Sequence, residues 1–400
     1  MQHFEIAVVG GGLAGSVAAL ALARAGRKVA MIAPSSEKTD ERTTALMDHS
    51  IRFLERLGVW EDIAPSAAPL SVMQIVDGTK RLLRAPTAQF RAQDVGLYAF
   101  GYNIPNRALS ETLDAAVAAE RNITNVAQTV ETFDFSAERV MLTLSDGTIA
   151  SADFVVGADG RQSKARDTAG IGVRRWSYPQ SAVVLNFAHS LPHGNVSTEV
   201  HTESGPFTQV PLPGLRSSLV WVVKPDEARR LVELPTEELS RLVEDRMQSM
   251  LGKVKVEGKA QAWPLSSLMA ERFGKGRLAL IGEAAHAFPP IGAQGLNLSL
   301  RDIIALSDLL AATGDRPVPA DAGDRFNRRR GPDIVSRTVG VDLLNRSLLS
   351  DFLPVQMLRA AGLHILSYAP PLRNLLMREG IEPGRGLRAV VDALRKEIRR

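Results

Sequence analysis

"FEIAVVGGGLAGSVAALALARAGRKVAMIA", residues 4–33, decides the fold. "FEIAVVG" reads as a buried strand. The small-residue stretch "LAGSVAALALARAG" reads as a helix stopped at Gly26, and "KVAMIA" as a second strand. Together they make a β-α-β unit in about 30 residues. Gly10-x-Gly12-x-x-Gly15 lies at the turn between strand and helix. Gly10 permits the tight turn, Gly12 lets a pyrophosphate approach the backbone, and Gly15 lets the helix pack closely on the strand. Leu13 and Ala14 open a helix whose positive dipole end faces the phosphates. A glycine turn that only packs a helix on a sheet is the simpler alternative; the setting at a strand–helix junction favours a dinucleotide. The acid that ordinarily ends the second strand and holds the adenosine ribose is missing. Ala33 stands there, with Ser35, Ser36 and Glu37 as the nearby substitutes.

The run Ile6–Ala23 carries no charge and is near membrane-spanning length. Three consecutive glycines interrupt it and no basic segment precedes it, so neither an anchor nor a signal peptide is expected. The chain of 400 residues is 45% hydrophobic and 23% charged, an ordinary globular balance with room for two or three domains. It has no cysteine, which excludes disulfides and thiolate chemistry. Net charge is +4, yet residues 321–400 hold 15 Lys/Arg against 9 Asp/Glu, an excess of six. That bias suits an acidic surface such as anionic lipid, and equally a solvated Arg-rich helical face. No nucleic-acid partner is expected.

Further along, "DERTTALMDHSIRFLERLGVW", residues 40–60, reads as a helix from Arg42 onward, with Leu46, Ile51, Leu54 and Leu57 as its apolar face. "NVAQTVETFDF", "RVMLTLSDGTIA" and "DFVVGADG" read as strands, with Asp146-Gly147 as a hairpin turn. "SAVVLNFAH", "STEVHT" and "SSLVWVV" alternate as strands, followed by two short helices and a return to the buried strand "GRLALIG". The expected fold is α/β: a Rossmann-like nucleotide-binding domain from residues 1–70, 101–172 and 273–320, an inserted β-rich substrate domain from 71–100 and 173–272, and a helical C-terminal region, 321–400.

Two more stretches carry chemistry. In "DFVVGADGRQSKAR", residues 153–166, Asp159 and Gly160 form a turn beyond a strand end, where an aspartate can take turn amides or pin a cofactor loop. A ligand-free Asp-Gly turn is the plainer reading. In "GEAAHAFPPIGAQGLNLSLRD", residues 282–302, Gly282 ends a strand, the position at which α/β sheets bind ligands, and Glu283 can accept from ligand hydroxyls. Pro290 and Gly292 then shape a helix start with free amides, and Asn297 follows one to two turns in. His286 reads first as a residue packed at the bend, with acid/base or ligand contact as alternatives. Nothing beside it suggests a metal, and none is expected.

These three sites, in this order and spacing, resemble the class A flavoprotein aromatic hydroxylases, the para-hydroxybenzoate hydroxylase superfamily, over about residues 4 to 375. The segment from Asp40 to Trp60, "YPQSAVV" from Tyr178, and "DLLNRSLLSDFLPVQMLRAAGL" from Asp342 to Leu363 are similar to the ubiquinone-biosynthesis hydroxylases within it. The resemblance implies FAD as cofactor, NADH or NADPH as electron donor and molecular oxygen as co-substrate. It implies a monooxygenase that hydroxylates the ring of a prenylated phenol through a flavin hydroperoxide. Arg42 and Arg107 would then contact the FAD diphosphate or ribose side, although by themselves both read as surface salt bridges. Asp159 and Gly160 would lie near FAD, and Gly282 and Glu283 would hold its ribityl and pyrophosphate region. Gly292, Ala293, Gln294, Gly295, Leu296 and Asn297 would face the isoalloxazine. The chain departs from the pattern at Glu283, where Asp is usual, and in the order Gly292-Ala293.

No obligatory acid or base can be read from the sequence, so the catalytic residues stay unassigned. Tyr178 and Gln180 are the polar substrate candidates, or they merely finish a strand. "LRAVVDALRKEIRR", residues 387–400, places Leu387, Val390, Val391, Leu394 and Ile398 on one helical face. That face suits peripheral docking on a membrane or on quinone-biosynthesis proteins, against simple packing or fraying. The expected location is cytoplasmic, on the inner face of a membrane where docking holds. A flavin hydroxylase of a soluble phenolic or polyketide, and a non-catalytic FAD-binding subunit of a quinone-synthesis complex, are the rival readings.

Overall fold

The computed structural model describes residues 2–35, 40–79, 86–136, 138–202, 204–289, 294–314 and 316–349. Ser36, Glu37, Pro290, Gly292, Ala293, most of the Asp342–Leu363 segment and the 387–400 tail lie outside them.

The β-α-β unit forms as expected, with strand Gln2–Val9, helix Leu13–Arg24 and strand Val29–Ile32. Every residue from Gly15 to Ala23 is buried, which explains why the helix has no polar face. It packs between helices Asn106–Ala119 and Gln294–Ala311. The uncharged run at 6–23 is therefore a core strand and a core helix. Among the described residues no helix is long and apolar enough to cross a membrane.

The first sheet has the strand order Gly274–Lys275, Leu278–Leu280, Ile149–Gly157, Gln2–Val9, Val29–Ile32, Ile123–Val126. The last five are mutually parallel. Antiparallel strands Val140–Leu144 and Val130–Asp134 extend the sheet from Ile149–Gly157. Gly147 at φ +82° makes the expected hairpin turn. "NVAQTVETFDF" does not form one strand; it divides into Ile123–Val126 and Val130–Asp134, on opposite sides of the sheet.

The expectation of a helix from Arg42 is corrected at its start. Thr43–Met47 is a strand, paired antiparallel with Gly101–Pro105, and the helix begins only at Asp48. The β-branched pair Thr43-Thr44 favours the extended form, and Asp48 supplies the acid for the helix's first turn. Leu46 is fully buried, but from a strand.

The second sheet has eight strands, in the order His286–Ala287, Val254–Ala270, Val173–His189, Arg216–Val223, Gly205–Leu212, Val196–Thr202, Val72–Asp77, Ala88–Arg91. Gly205–Leu212 was not separable in the sequence from its neighbours. One face of this sheet is closed. Val183, Trp221, Phe207 and their neighbours pack beneath helices Pro225–Glu233 and Thr236–Arg246 through Ala228, Leu231, Leu239 and Val243. The other face turns toward the first sheet's half of the molecule. There Thr43 Oγ1 and Asn103 Nδ2 donate to Ser218 Oγ, and Asn186 Nδ2 donates to the Glu41 carbonyl.

Helix Ala322–Leu349 packs along the edge of the first sheet, where Gly323 N donates to Gly276 O at 2.8 Å. A Cβ at Gly274 would stand 2.3 Å from Gly323 O, so this helix is seated directly on the nucleotide-binding half.

Candidate functional site

Register aligns four parallel strand ends. Val9 lies opposite both Gly157 and Ile32, and Gly157 opposite Leu280. Three glycine loops leave this edge together, which is where a doubly wound sheet takes its ligand.

In the first loop the three glycines separate by role. Gly10 has φ +115°, and a Cβ on it would lie 2.2 Å from Ala158 O. A Cβ on Gly15 would lie 1.9 Å from Gly10 O. Gly12 caps the helix, and a Cβ there would meet nothing within 4 Å. No side chain caps this helix and no acid sits in its first turn, so Leu13 and Ala14 present free amides to open space.

The second loop carries Asp159. Its Oδ2 accepts from Ala165 N at 3.1 Å, while Oδ1 is buried without a partner. Gly160 turns at φ +83°. Behind it Arg166 is completely buried, an arrangement the sequence did not suggest. It donates to Asp167, to Ala284 O at 3.1 Å and to Arg161 O at 3.2 Å, and so ties the second loop to the third.

In the third loop Gly282 has φ +59°, and a Cβ on it would stand 3.0 Å from the Ala14 Cβ. Glu283 is more than half exposed and pairs with Arg161 at 3.3 Å. Beyond it, His286–Ala287 crosses to the second sheet and pairs with Leu268 and Met269.

His286 does pack at the bend, and its partner is Asp302, which the sequence left without a role. His286 Nε2 lies 2.6 Å from Asp302 Oδ2, with both side chains buried, and the ring stacks on Phe288 at 5.4 Å. Asp302 also accepts from Arg330 at 2.8 Å. Arg330 and Arg337 then both donate to Asp333, at 2.6 and 2.9 Å. Burial pushes the Asp333 carboxyl up, but the charges of Arg330 and Arg337 outweigh it and leave the group below the usual carboxylate range. Beside this chain Arg301 is pushed down to about 10 by burial and by Arg337.

Helix Gln294–Ala311 begins with Gln294, Gly295, Leu296 and Asn297. Among the described residues, a Cβ at Gly295 would meet nothing within 4 Å. Asn297 turns its side chain to the strand that precedes Asp48. It is 4% exposed, donates to Ala45 O at 2.8 Å, and accepts from Met47 N at 2.9 Å and Ser50 Oγ at 2.7 Å. A buried amide has to fill its bonds, and this one does so by clamping the helix entrance to the strand before Asp48.

At the rim, Arg42 donates to both oxygens of Asp40, at 2.8 and 2.7 Å, and lies over the Trp263 ring at 5.3 Å. Burial raises the Asp40 carboxyl, but hydrogen bonds from Arg42 and Asn106 prevail and lower it. Asn106 N donates to Arg42 O, which brings Arg107 to the same rim. There Arg107 is exposed and pairs with Glu111, as its plainer reading held.

On the second sheet, Tyr178 is buried and its hydroxyl accepts from Trp176 Nε1 at 2.7 Å. Gln180, 3% exposed, donates to Ser204 O at 2.7 Å and leaves its Oε1 buried without a partner. Among the described residues, no group of three His, Cys, Asp or Glu side chains could hold a metal.

A dinucleotide fits what is present. Gly12 leaves room against uncapped amides, Asp159 holds a buried oxygen without a partner among the described residues, and three glycine loops leave the same edge.

Comparison with known proteins gives the same answer. A family model described as an FAD binding domain matches residues 3–330. A ubiquinone hydroxylase of Rhodospirillum rubrum is 33% identical, over 96% of this chain and 93% of its own. The 3-demethoxyubiquinol 3-hydroxylase of Escherichia coli is 30% identical, over 94% and 98%. Among solved structures, a p-nitrophenol 4-monooxygenase of Pseudomonas putida superposes with a TM-score of 0.78 at 20% identity, covering 97% of this chain and 99% of that one. With its glycine loops, its uncapped first helix and these relatives, the chain belongs to the FAD-binding-domain family and, within it, to the FAD-dependent aromatic-ring monooxygenases that include the ubiquinone hydroxylases.

Proposed function

We propose that this enzyme hydroxylates the aromatic ring of a prenylated phenol in the route to ubiquinone. The observation that carries the reading is the inward face of the second sheet. Met73, Ile75, Val184, Val210 and Val220 line it and stay partly exposed, whereas Val183, Trp221 and Phe207 on the reverse are buried. A partly exposed apolar face, turned toward the first sheet's half of the molecule, suits a ring with an isoprenoid tail.

Gly10, Gly12, Gly15, Leu13 and Ala14 would hold the FAD pyrophosphate, with Asp159, Gly160, Gly282 and Glu283 on its sugar and ribityl side. Arg42 and Arg107 stand at the rim. Bound FAD supplies the redox chemistry, taking a hydride from NADH or NADPH and activating molecular oxygen for transfer to the ring. The protein places the ring, excludes water and offers the free amides at the entrance of helix Gln294–Ala311 to negative charge.

The test is ¹⁸O₂ incorporation into a short-chain prenylphenol by the FAD-loaded protein with NADH or NADPH. Quinone profiling of a deletion strain runs beside it. One ¹⁸O in the ring product and an accumulated under-hydroxylated prenyl precursor are expected. Transfer only to soluble phenols, with normal quinones in the deletion strain, would overturn the reading. The rim and the tail at 387–400 are where a membrane surface or partner proteins would deliver a lipid substrate, which liposome co-sedimentation with and without the tail tests.

A further inference from the structure

Cross-strand register puts a hydrogen-bonded Glu–His pair on that face. Val184 lies opposite Val220, Val220 opposite Thr208, Thr208 opposite Glu199, and Glu199 opposite Ile75. These five side chains form one row across the sheet, and all five are partly exposed. His201 stands one step along, opposite Pro206 and Asp77. Its Nε2 lies 2.7 Å from Glu199 Oε1, and its side chain is 12% exposed.

We propose that His201 accepts the ring hydroxyl's proton from the substrate and that Glu199 is the positioning residue for it. This rests on the phenol-hydroxylase reading above. An electrophilic oxygen attacks a phenolate ring faster than a phenol, so the site needs a proton acceptor among apolar walls. The Glu199 carboxylate accepts a hydrogen bond from Nε2–H and thereby sets the tautomer, leaving the Nδ1 lone pair as the acceptor. Among the described residues Nδ1 has no hydrogen-bond partner.

In the step, the phenol O–H bond breaks, an Nδ1–H bond forms, and the electron pair stays on the ring oxygen. The resulting positive imidazole faces Glu199. When the ring re-aromatises after oxygen transfer, that oxygen takes the proton back from His201 and the hydroxylated carbon releases its proton to solvent, so the pair ends as it began.

Among the described residues two carboxylates stand around His201. Glu199 is on its own strand, with its other oxygen 3.4 Å from Thr208 Oγ1. Asp77, on the adjacent parallel strand, accepts from Thr79 N and Oγ1. Among the described residues no Lys or Arg lies in either cross-strand row.

The test uses the FAD-loaded full chain and 2-prenyl-4-nitrophenol, a poor substrate whose phenolate absorbs in the visible. Binding to the native protein is expected to lower the probe's apparent pKa by about one unit or more. His201→Gln removes that shift and Glu199→Gln reduces it, with FAD content unchanged in both as the check on folding. With a reactive prenylphenol, the His201→Gln rate follows the free phenol's ionisation upward with pH, which the native rate does not. A probe pKa unmoved by the native protein, or moved equally by both variants, overturns the proposal. Absence of ¹⁸O transfer with the His201-dependent shift intact would instead strike at the hydroxylase reading alone.

Discussion

The two sheets meet the same reaction with opposite means. The first offers backbone: three loops shaped by Gly10, Gly15, Gly160 and Gly282, and a first helix left uncapped. The second offers side chains: Val184, Val220 and Thr208 beside Glu199 and His201. A site made of amides depends on where a Cβ is absent. A site made of side chains depends on which strand faces which, and that is set far away in the chain.

Substitutions can break this comparison. Gly15→Val has the largest expected effect, because its Cβ would lie 1.9 Å from Gly10 O and neither backbone can yield. A loss of about 3 kcal/mol or more is expected, seen as absent soluble yellow protein. A normally folded, FAD-loaded variant would mean the loop is not tightly packed.

Asp302→Ala comes next. It strips the buried carboxylate from both His286 and Arg330, which costs about 3–5 kcal/mol. Chemical denaturation of the apoprotein measures it, and a cost below about 1 kcal/mol would demote the buried chain to decoration.

Gly12→Ala sharpens the contrast. Apoprotein stability is expected to stay within about 0.5 kcal/mol, since the position is open and its φ is −78°. FAD affinity is expected to fall about tenfold or more, roughly 1.4 kcal/mol, by titration of the apoprotein. Unchanged affinity would remove the first loop from the cofactor.

Smallest is Arg107→Ala. Its exposed i,i+4 pair with Glu111 is screened by solvent, so the melting midpoint should scarcely move. A drop in FAD affinity would promote Arg107 from surface charge to cofactor contact.

The same contrast explains what the sequence disclosed. Gly10, Gly12 and Gly15 are close in the chain and bound by local geometry, so their roles were legible together. So was the Asp146-Gly147 hairpin. Asn297 was legible as important but not in its role, because its partners Ala45, Met47 and Ser50 arrive from some 250 residues away. Leu46 matched a helical stripe that the pairing of Thr43–Met47 with Gly101–Pro105 overrode. Glu199 and His201 are two apart on an ordinary strand, and nothing local tells which face of that strand is open. His286 and Asp302 are sixteen apart and meet only because the third loop bends back onto its own helix.

That loop has a further consequence. Gly282 leans on the helix of the first sheet, and His286–Ala287 is stitched into the edge of the second. Between them lie three residues, too short a tether to absorb a displacement. The nucleotide-binding edge of one sheet and the outer strand of the other are therefore joined through a single bend.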